Sequence, residues 1–293
     1  MPAVRWTRWG AVAVPEVLQV RLEPVFAGRV AAGAPKPPRA LRADELSANV
    51  RWFAEPGPRG RPIAGLVLSG MPAGIAGELR DALDPTLDPI GAVLEQARAA
   101  SVRRVTVHVD AAGAAAAANH LGALVDGWVI AVRSPDEAAV IPVGAQVIVP
   151  LDADRIDRLA EAAAAVARTS PSRITFTWPF PGGGTPAPLP AVRPALAAAI
   201  AAVGGIPWGL KGLPACVVAG IPGVADRVAR SGNRWYVDAD HQLDRALLFF
   251  PEVARFAKRE GCRFCALDDR CDGVAEEWLR QGLVPALIPV QSG

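Results

Sequence analysis

The chain has 293 residues, 51% of them hydrophobic, with a formal net charge of +2. That length supports one large domain or two ordinary ones around a sizeable core. The near-balance of charge offers no broad basic face, which counts against nucleic acid or an acidic membrane surface as a partner. Lysine stands only at 36, 211 and 258, so arginine carries almost all of the positive charge.

Residues 1–40 predict an N-terminal β extension. Ala11-Val12-Ala13-Val14 and Val17-Leu18-Gln19-Val20-Arg21-Leu22 are strand-like, prolines interrupt them, and Ala34-Pro35-Lys36-Pro37-Pro38-Arg39 is a stiff linker. Through residues 41–208, strand-like runs at 49–54, 65–69, 102–109, 127–132, 145–149 and 173–178 alternate with helical stretches at 89–100, 111–124, 153–168 and 189–203. This alternation predicts a parallel sheet wrapped by helices, either an open or closed (β/α) barrel or a doubly wound sheet. The Ala-rich run near 111–132 is interrupted by Asn119, His120 and Asp126, so it predicts a helix leading into a strand, not a membrane span. The first residues lack the apolar core of a signal peptide, and the expected setting is the reducing cytoplasm. Residues 209–293 predict no further β/α repeat but a compact module, with helices at 249–259 and 274–280 and a closing apolar segment at 287–290.

That last part holds all four cysteines. Cys262, Cys265 and Cys271 form C-x2-C-x5-C, and Cys216 lies upstream in Gly212-Leu213-Pro214-Ala215-Cys216. Two cysteines separated by two residues wrap a turn around one ion or cluster, and clustered thiolates in a reducing compartment point to metal in preference to disulfides. The four are candidate ligands of a [4Fe-4S] cluster, with tetrahedral zinc as the alternative.

Other motifs carry less chemistry. His108, His120 and His241 are too scattered to build a site. Pro181-Gly182-Gly183-Gly184-Thr185-Pro186 lacks the Lys-Ser/Thr of a phosphate loop and predicts a flexible loop after the strand ending at Trp178. Trp52, Trp128 and Trp178 are expected in core or rim packing. Trp6 and Trp9, among arginines, suit either an exposed partner surface or edge-strand packing.

Taken together, the order of motifs resembles the radical S-adenosylmethionine superfamily, over roughly residues 42–293. The C-terminal cysteine pattern, with Gly273 after Cys271, is similar to its SPASM or shortened twitch auxiliary modules. The barrel part departs from the family. The loop Pro56-Gly57-Pro58-Arg59-Gly60-Arg61-Pro62 has no cysteine where the family places C-x3-C-x2-C, and Ser69-Gly70-Met71-Pro72 stands where it places Gly-Gly-Glu-Pro. Met71 cannot make the charge-assisted hydrogen bond of a Glu to an ammonium.

The resemblance therefore implies a partial (β/α) barrel of radical SAM type with a small C-terminal Fe–S module. It also implies a non-catalytic pseudoenzyme with one [4Fe-4S] cluster, serving as an accessory, substrate-binding or electron-relay protein. Its partner would be a catalytic radical SAM enzyme or a peptide substrate. Two alternatives stand beside it: an enzyme of another chemistry that uses the barrel mouth and the auxiliary cluster, and a zinc-binding structural interaction protein.

Overall fold

The computed structural model describes residues 4–7, 10–13, 17–21, 50, 63–69, 89–100, 102–179, 184–221, 228–229, 235–237, 248–249, 256–284 and 289–290. They fall into two compact units, Met1–Val129 with Arg234–Phe249, and Ile130–Asn233 with Phe250–Gly293.

In the first unit, β1 (Val4–Thr7) and β2 (Gly10–Ala13) form an antiparallel hairpin. The strands β3 (Val17–Arg21), β4 (Gly65–Ser69) and β5 (Arg104–Asp110) pair in parallel, with Leu18 opposite Leu66 and Leu66 opposite Val105. Beyond β3, Trp235–Val237 pairs in parallel with it, and Leu248–Phe249 pairs antiparallel with that short strand. Between β4 and β5 runs helix α1 (Pro89–Ala100), which buries Ile90, Val93, Leu94 and Ala97 at the i, i+3, i+4, i+7 spacing of one helix face. Helix α2 (Ala111–Leu121) buries Ala111, Gly113, Ala114, Ala117 and Leu121, so its alanine-rich sequence reflects close packing. Strand β6 (Gly127–Ala131) then crosses the boundary between the units.

The second unit repeats the plan. Strands β7 (Gln146–Pro150), β8 (Arg173–Thr177) and β9 (Trp208–Lys211) pair in parallel in that order, and Val228–Ala229 adds to β9. Two helices connect them: α3 (Leu159–Ala167) between β7 and β8, and α4 (Leu189–Val203) between β8 and β9. Alternation along the strands separates two faces. Val147, Val149, Ile174, Phe176 and Leu210 are almost completely buried on one face. Ile148, Pro150, Thr175, Thr177 and Lys211 are only half-buried on the other. The sealed face is matched by the buried stripe Leu189, Val192, Leu196, Ala199 and Val203 of α4, which packs closely on α3.

Both units thus build parallel β/α repeats, consistent with a partial TIM-type barrel. Four expectations change. Strand β9 continues the repeat past residue 208; it is short, with Gly209 in its middle, and carries little strand signal. The helix expected at 249–259 is absent where it can be described: Phe256–Ala257 is a strand paired antiparallel with Val274–Ala275, and Phe249 lies in another. The helix expected at 274–280 shortens to Glu276–Arg280 because Val274 and Ala275 belong to that pairing. Val50 is helical, whereas a strand was expected at 49–54. Residues 51–62, Gly70, Met71, Pro72, His241 and Trp9 lie outside the described residues. Among the described residues, no helix is long and apolar enough to cross a membrane.

One polar clamp in the first unit joins three segments. Arg98 of α1 donates to the carbonyl of Arg103 at 2.6 Å, to that of Leu124 at 3.1 Å, and to Asp126 Oδ2 at 2.5 Å, while Val105 N–H donates to the same Asp126 oxygen at 2.6 Å. Burial alone would raise the Asp126 pKa, but the Val105 N–H and the Arg98 and Arg104 charges outweigh it and hold the carboxyl below its ordinary 3.8. A depressed carboxylate pKa stabilises the fold fully above the unfolded value, and that contribution fades as pH falls through the folded value. With the Asp126 side chain 42% exposed, screening leaves roughly 1 kcal/mol. Asp126→Asn is expected to lower the urea midpoint at pH 7 by about that much and to match the parent protein once the pH has fallen through the lowered folded-state value; equal midpoints at pH 7 would show the clamp to be energetically silent.

Candidate functional site

All four cysteines line one pocket in the second unit. Its walls are Pro214, Cys216, Lys258, Cys262, Cys265, Leu267, Asp268, Cys271, Gly273 and Pro289, and its cavity is small, about 20 Å³, and open to solvent. None of the four forms a disulfide, and each is half-buried.

Local structure explains how segments far apart in sequence reach the same pocket. After β9 the chain turns at Gly212, buries Leu213, and places Cys216 on the one-turn helix Ala215–Val218. Cys262 lies in the 3-10 turn Glu260–Phe264, which Cys265 caps by donating its N–H to the Cys262 carbonyl at 3.0 Å. A second 3-10 turn, Asp268–Arg270, delivers Cys271. Gly273 then has to be glycine: its φ is +86°, and a Cβ there would stand 2.3 Å from the Ala257 carbonyl oxygen. That close approach lets Phe256–Ala257 pair with Val274–Ala275 directly beside the cysteines.

The sulfurs accept backbone hydrogen bonds. Cys271 Sγ accepts from Ala215 N–H at 3.4 Å and from Gly273 N–H at 3.3 Å, and Cys265 Sγ accepts from Val290 N–H at 3.3 Å. The first of these ties the segment carrying Cys216 to the C-terminal triplet, 56 residues away in sequence. N–H donors aimed at sulfur stabilise negative charge on it and, around a metal, tune the bound thiolate. Lys258 adds a cation at the rim, held to Asp268 Oδ1 at 2.8 Å and to its carbonyl at 2.7 Å. Among the described residues, however, no three His, Cys, Asp or Glu side chains converge closely enough to hold one metal ion.

The segment bearing the cysteines is attached to the sheet by two tryptophans. Trp178, just past β8, and Trp278, on the helix Glu276–Arg280, meet edge to face with ring centroids 6.5 Å apart. The Trp278 indole N–H donates to the Pro179 carbonyl and the Trp178 N–H to that of Ala187, both at 3.0 Å. Trp178 is therefore core, as expected, and Trp128 is half-buried. His108 is half-buried in β5 and His120 is exposed at the end of α2, in separate places. Ser69 is buried at the end of β4.

Sequence analysis missed a second polar cluster at the carboxyl ends of the strands. Asp152 lies two residues beyond β7, on the parity of Ile148 and Pro150, and its side chain is 10% exposed. Arg133 Nε stands 3.7 Å from its Oδ2. Burial is the main force on this carboxyl and raises its pKa, with Arg133 and Arg155 opposing and Asp154 reinforcing the shift. A signal was present in the sequence: an acidic residue just past a predicted parallel strand occupies the end where such sheets carry their ligands.

No family model matches the chain, and neither does any curated protein. Solved structures that match include tryptophan synthase from M. tuberculosis in its aminoacrylate-bound form, at 16% identity over 78% of this chain and 84% of that one, with a TM-score of 0.35. The form that also binds BRD0059 matches at 15% identity over 78% and 83%, with a TM-score of 0.34. A protein assigned to the dihydrodipicolinate synthase family, from Coccidioides immitis, matches at 12% identity over 78% and 67%, with a TM-score of 0.33. At these scores the likenesses say nothing about activity.

The resemblance drawn from sequence is corrected by the other two comparisons: no family model and no curated protein supports the radical SAM assignment, so the chain is not identified as one. The pseudoenzyme role, the radical-enzyme partner and the SPASM or twitch label fall with it. Nothing in the structure or the comparisons shows an iron–sulfur cluster. The error has a physical source: a cysteine spacing reports local ligand geometry, and different folds can carry the same spacing.

The tryptophan pair makes a direct prediction. Trp278→Ala removes a buried indole and leaves the Pro179 carbonyl without its donor, which should cost about 3–5 kcal/mol. Trp278→Phe keeps most of the ring contact and should cost about 1–3 kcal/mol. Urea unfolding of both variants checks this, and equal small losses would mean that the indole does not hold the segment in place.

Proposed function

We propose that Cys216, Cys262, Cys265 and Cys271 are the ligands of one metal centre and that the protein works as a thiolate metal-centre protein. The observation that carries this is their meeting in a single pocket from two segments separated by more than forty residues. Four thiolates are soft donors and select iron–sulfur or zinc over hard cations such as magnesium or calcium. The N–H groups of Ala215, Gly273 and Val290 point at two of the sulfurs and would stabilise them as thiolates.

The donors do not converge on a point suited to a single ion. A bound metal would draw the four sulfurs closer, to about 2.3 Å from the ion in the case of zinc. Lys258 at the rim would offset part of the negative charge of such a centre.

The test is anaerobic purification with iron, acid-labile sulfide and zinc measured together, alongside a visible spectrum. Equal amounts of iron and sulfide, with broad absorption near about 400 nm, would mark an iron–sulfur centre on these ligands. One zinc per chain with no sulfide would replace the centre but keep the ligands, and a chain that takes up neither metal after reconstitution would sink the proposal. Metal binding by folded thiolates contributes directly to stability. Cys265→Ala should therefore lose its metal and melt well below the parent protein, whereas full metal content in that variant would remove Cys265 from the ligand set.

A further inference from the structure

We propose that the carboxyl ends of β7, β8 and β9 form a second ligand site, for a small molecule that carries an anionic group beside a hydroxyl or ammonium donor. Two buried oxygens motivate it. Asp152 Oδ1 and Thr177 Oγ1 are both sealed from solvent, and neither has a hydrogen-bond partner. Buried polar atoms are almost always paired, and an orphan in a native fold calls for a cause such as a bound molecule.

The two orphans belong to one place in the sheet. Thr177 is the last residue of β8, in register with Pro150 of β7 and Lys211 of β9. By strand parity Pro150, Thr177 and Lys211 share the half-exposed face, and Asp152 continues that row past the end of β7. Arg133 approaches Asp152 from the segment after β6. An acceptor, a hydroxyl and two cations therefore gather at the carboxyl ends of parallel strands, where side chains from successive strands converge on ligands.

The backbone passes close over Asp152. Pro186 forms an isolated bridge with Asp152, fixed by Ala153 N–H donating to Thr185 O and Ala187 N–H donating to Leu151 O, both at 2.9 Å. Next to that bridge, Gly184 has φ +137°, and a Cβ there would stand 2.9 Å from Asp152 Oδ1, so glycine is what lets the chain come this near to the carboxylate without covering it with a side chain.

The charges decide the ligand class. A metal cation would be drawn to the Asp152 carboxylate but repelled by Arg133 and Lys211. A molecule with a carboxylate for the two cations and an adjacent donor for Asp152 and Thr177 satisfies both halves. Arg155 and Asp154 complete the charged groups acting on Asp152. The proposal does not depend on the cysteine pocket.

Glycolate and glycine are the minimal probes, since each joins a carboxylate to one donor, hydroxyl in the first and ammonium in the second. Acetate and ethanolamine each supply only one half. Thermal melting of the full chain with each compound at millimolar concentration reads binding, because a ligand of the folded state raises the midpoint. A rise with glycolate or glycine but not with acetate or ethanolamine is expected, and the stronger of the two identifies the donor. Asp152→Asn and Thr177→Val should abolish the rise, Thr177→Ser should retain it, and Lys211→Gln should weaken it at least fivefold in apparent affinity. No rise with either probe in the parent protein, or an undiminished rise in Asp152→Asn and Thr177→Val, would overturn the site.

Discussion

The contact between Trp178 and Trp278 is the constraint on which the second unit depends. Trp178 stands where β8 leaves the sheet, and Trp278 lies on the last helix, about one hundred residues later. Each indole fills the core against the other and sends its N–H to a backbone carbonyl of the chain leaving β8. A buried indole that lacked such an acceptor would cost more than its ring contact returns. The Pro179 and Ala187 carbonyls therefore orient the two rings, and the rings fix where the cysteine-bearing segment meets the sheet. The same segment carries Gly273 against the Ala257 carbonyl and Cys271 to the N–H of Ala215.

The two polar sites of this unit suit different chemistry because their donors differ in kind. The cysteine pocket presents polarisable sulfurs on short 3-10 turns, with backbone N–H groups turned toward them. Turns of this sort let each sulfur adjust while the backbone remains hydrogen-bonded. The strand-end cluster presents hard oxygens and two cations, with Thr177 and Lys211 on register-locked β-strands and Asp152 and Arg133 just past strand ends. Sulfur favours a soft metal, whereas the rigid cluster favours a small molecule whose groups match fixed positions. Nothing requires the two to serve one reaction.

Much of this was legible in the sequence, for identifiable reasons. Helix α4 was predicted at its observed limits because Leu189, Val192, Leu196, Ala199 and Val203 keep the helical period in a segment long enough to show it. The strands β4 to β8 carry β-branched runs that survive burial on one face. Strand β9 did not stand out, because Trp208-Gly209-Leu210-Lys211 has no alternation of its own and becomes a strand through its ladder with β8. Residues 256–257 were expected to be helical on local composition, but the pairing partner that makes them a strand lies well downstream, at Val274 and Ala275. A shared site for Cys262, Cys265 and Cys271 was expected from their spacing, and Cys216 joined them as the one remaining cysteine. The family they resemble could not be read from that spacing, since two thiols separated by a turn say nothing about the sheet on which the turn is mounted.

The orphaned oxygens of Asp152 and Thr177 fit a general relation between stability and function. Each is buried without a hydrogen-bond partner, which costs stability that an apolar atom in the same place would not. Thr177 and Val have nearly the same shape, so packing alone gives no reason for a hydroxyl at that position. Local rules tend to be broken where a fold must meet a ligand, and the break then falls at the ends of rigid elements rather than within the core. Here the sealed face of β7 and β8 obeys those rules throughout, with Val147, Val149, Ile174 and Phe176 all but fully buried. Among the described residues, the two unpaired oxygens lie on the other face and just past the carboxyl end of β7. That placement, more than either oxygen alone, is what separates a binding site from ordinary imperfection in packing.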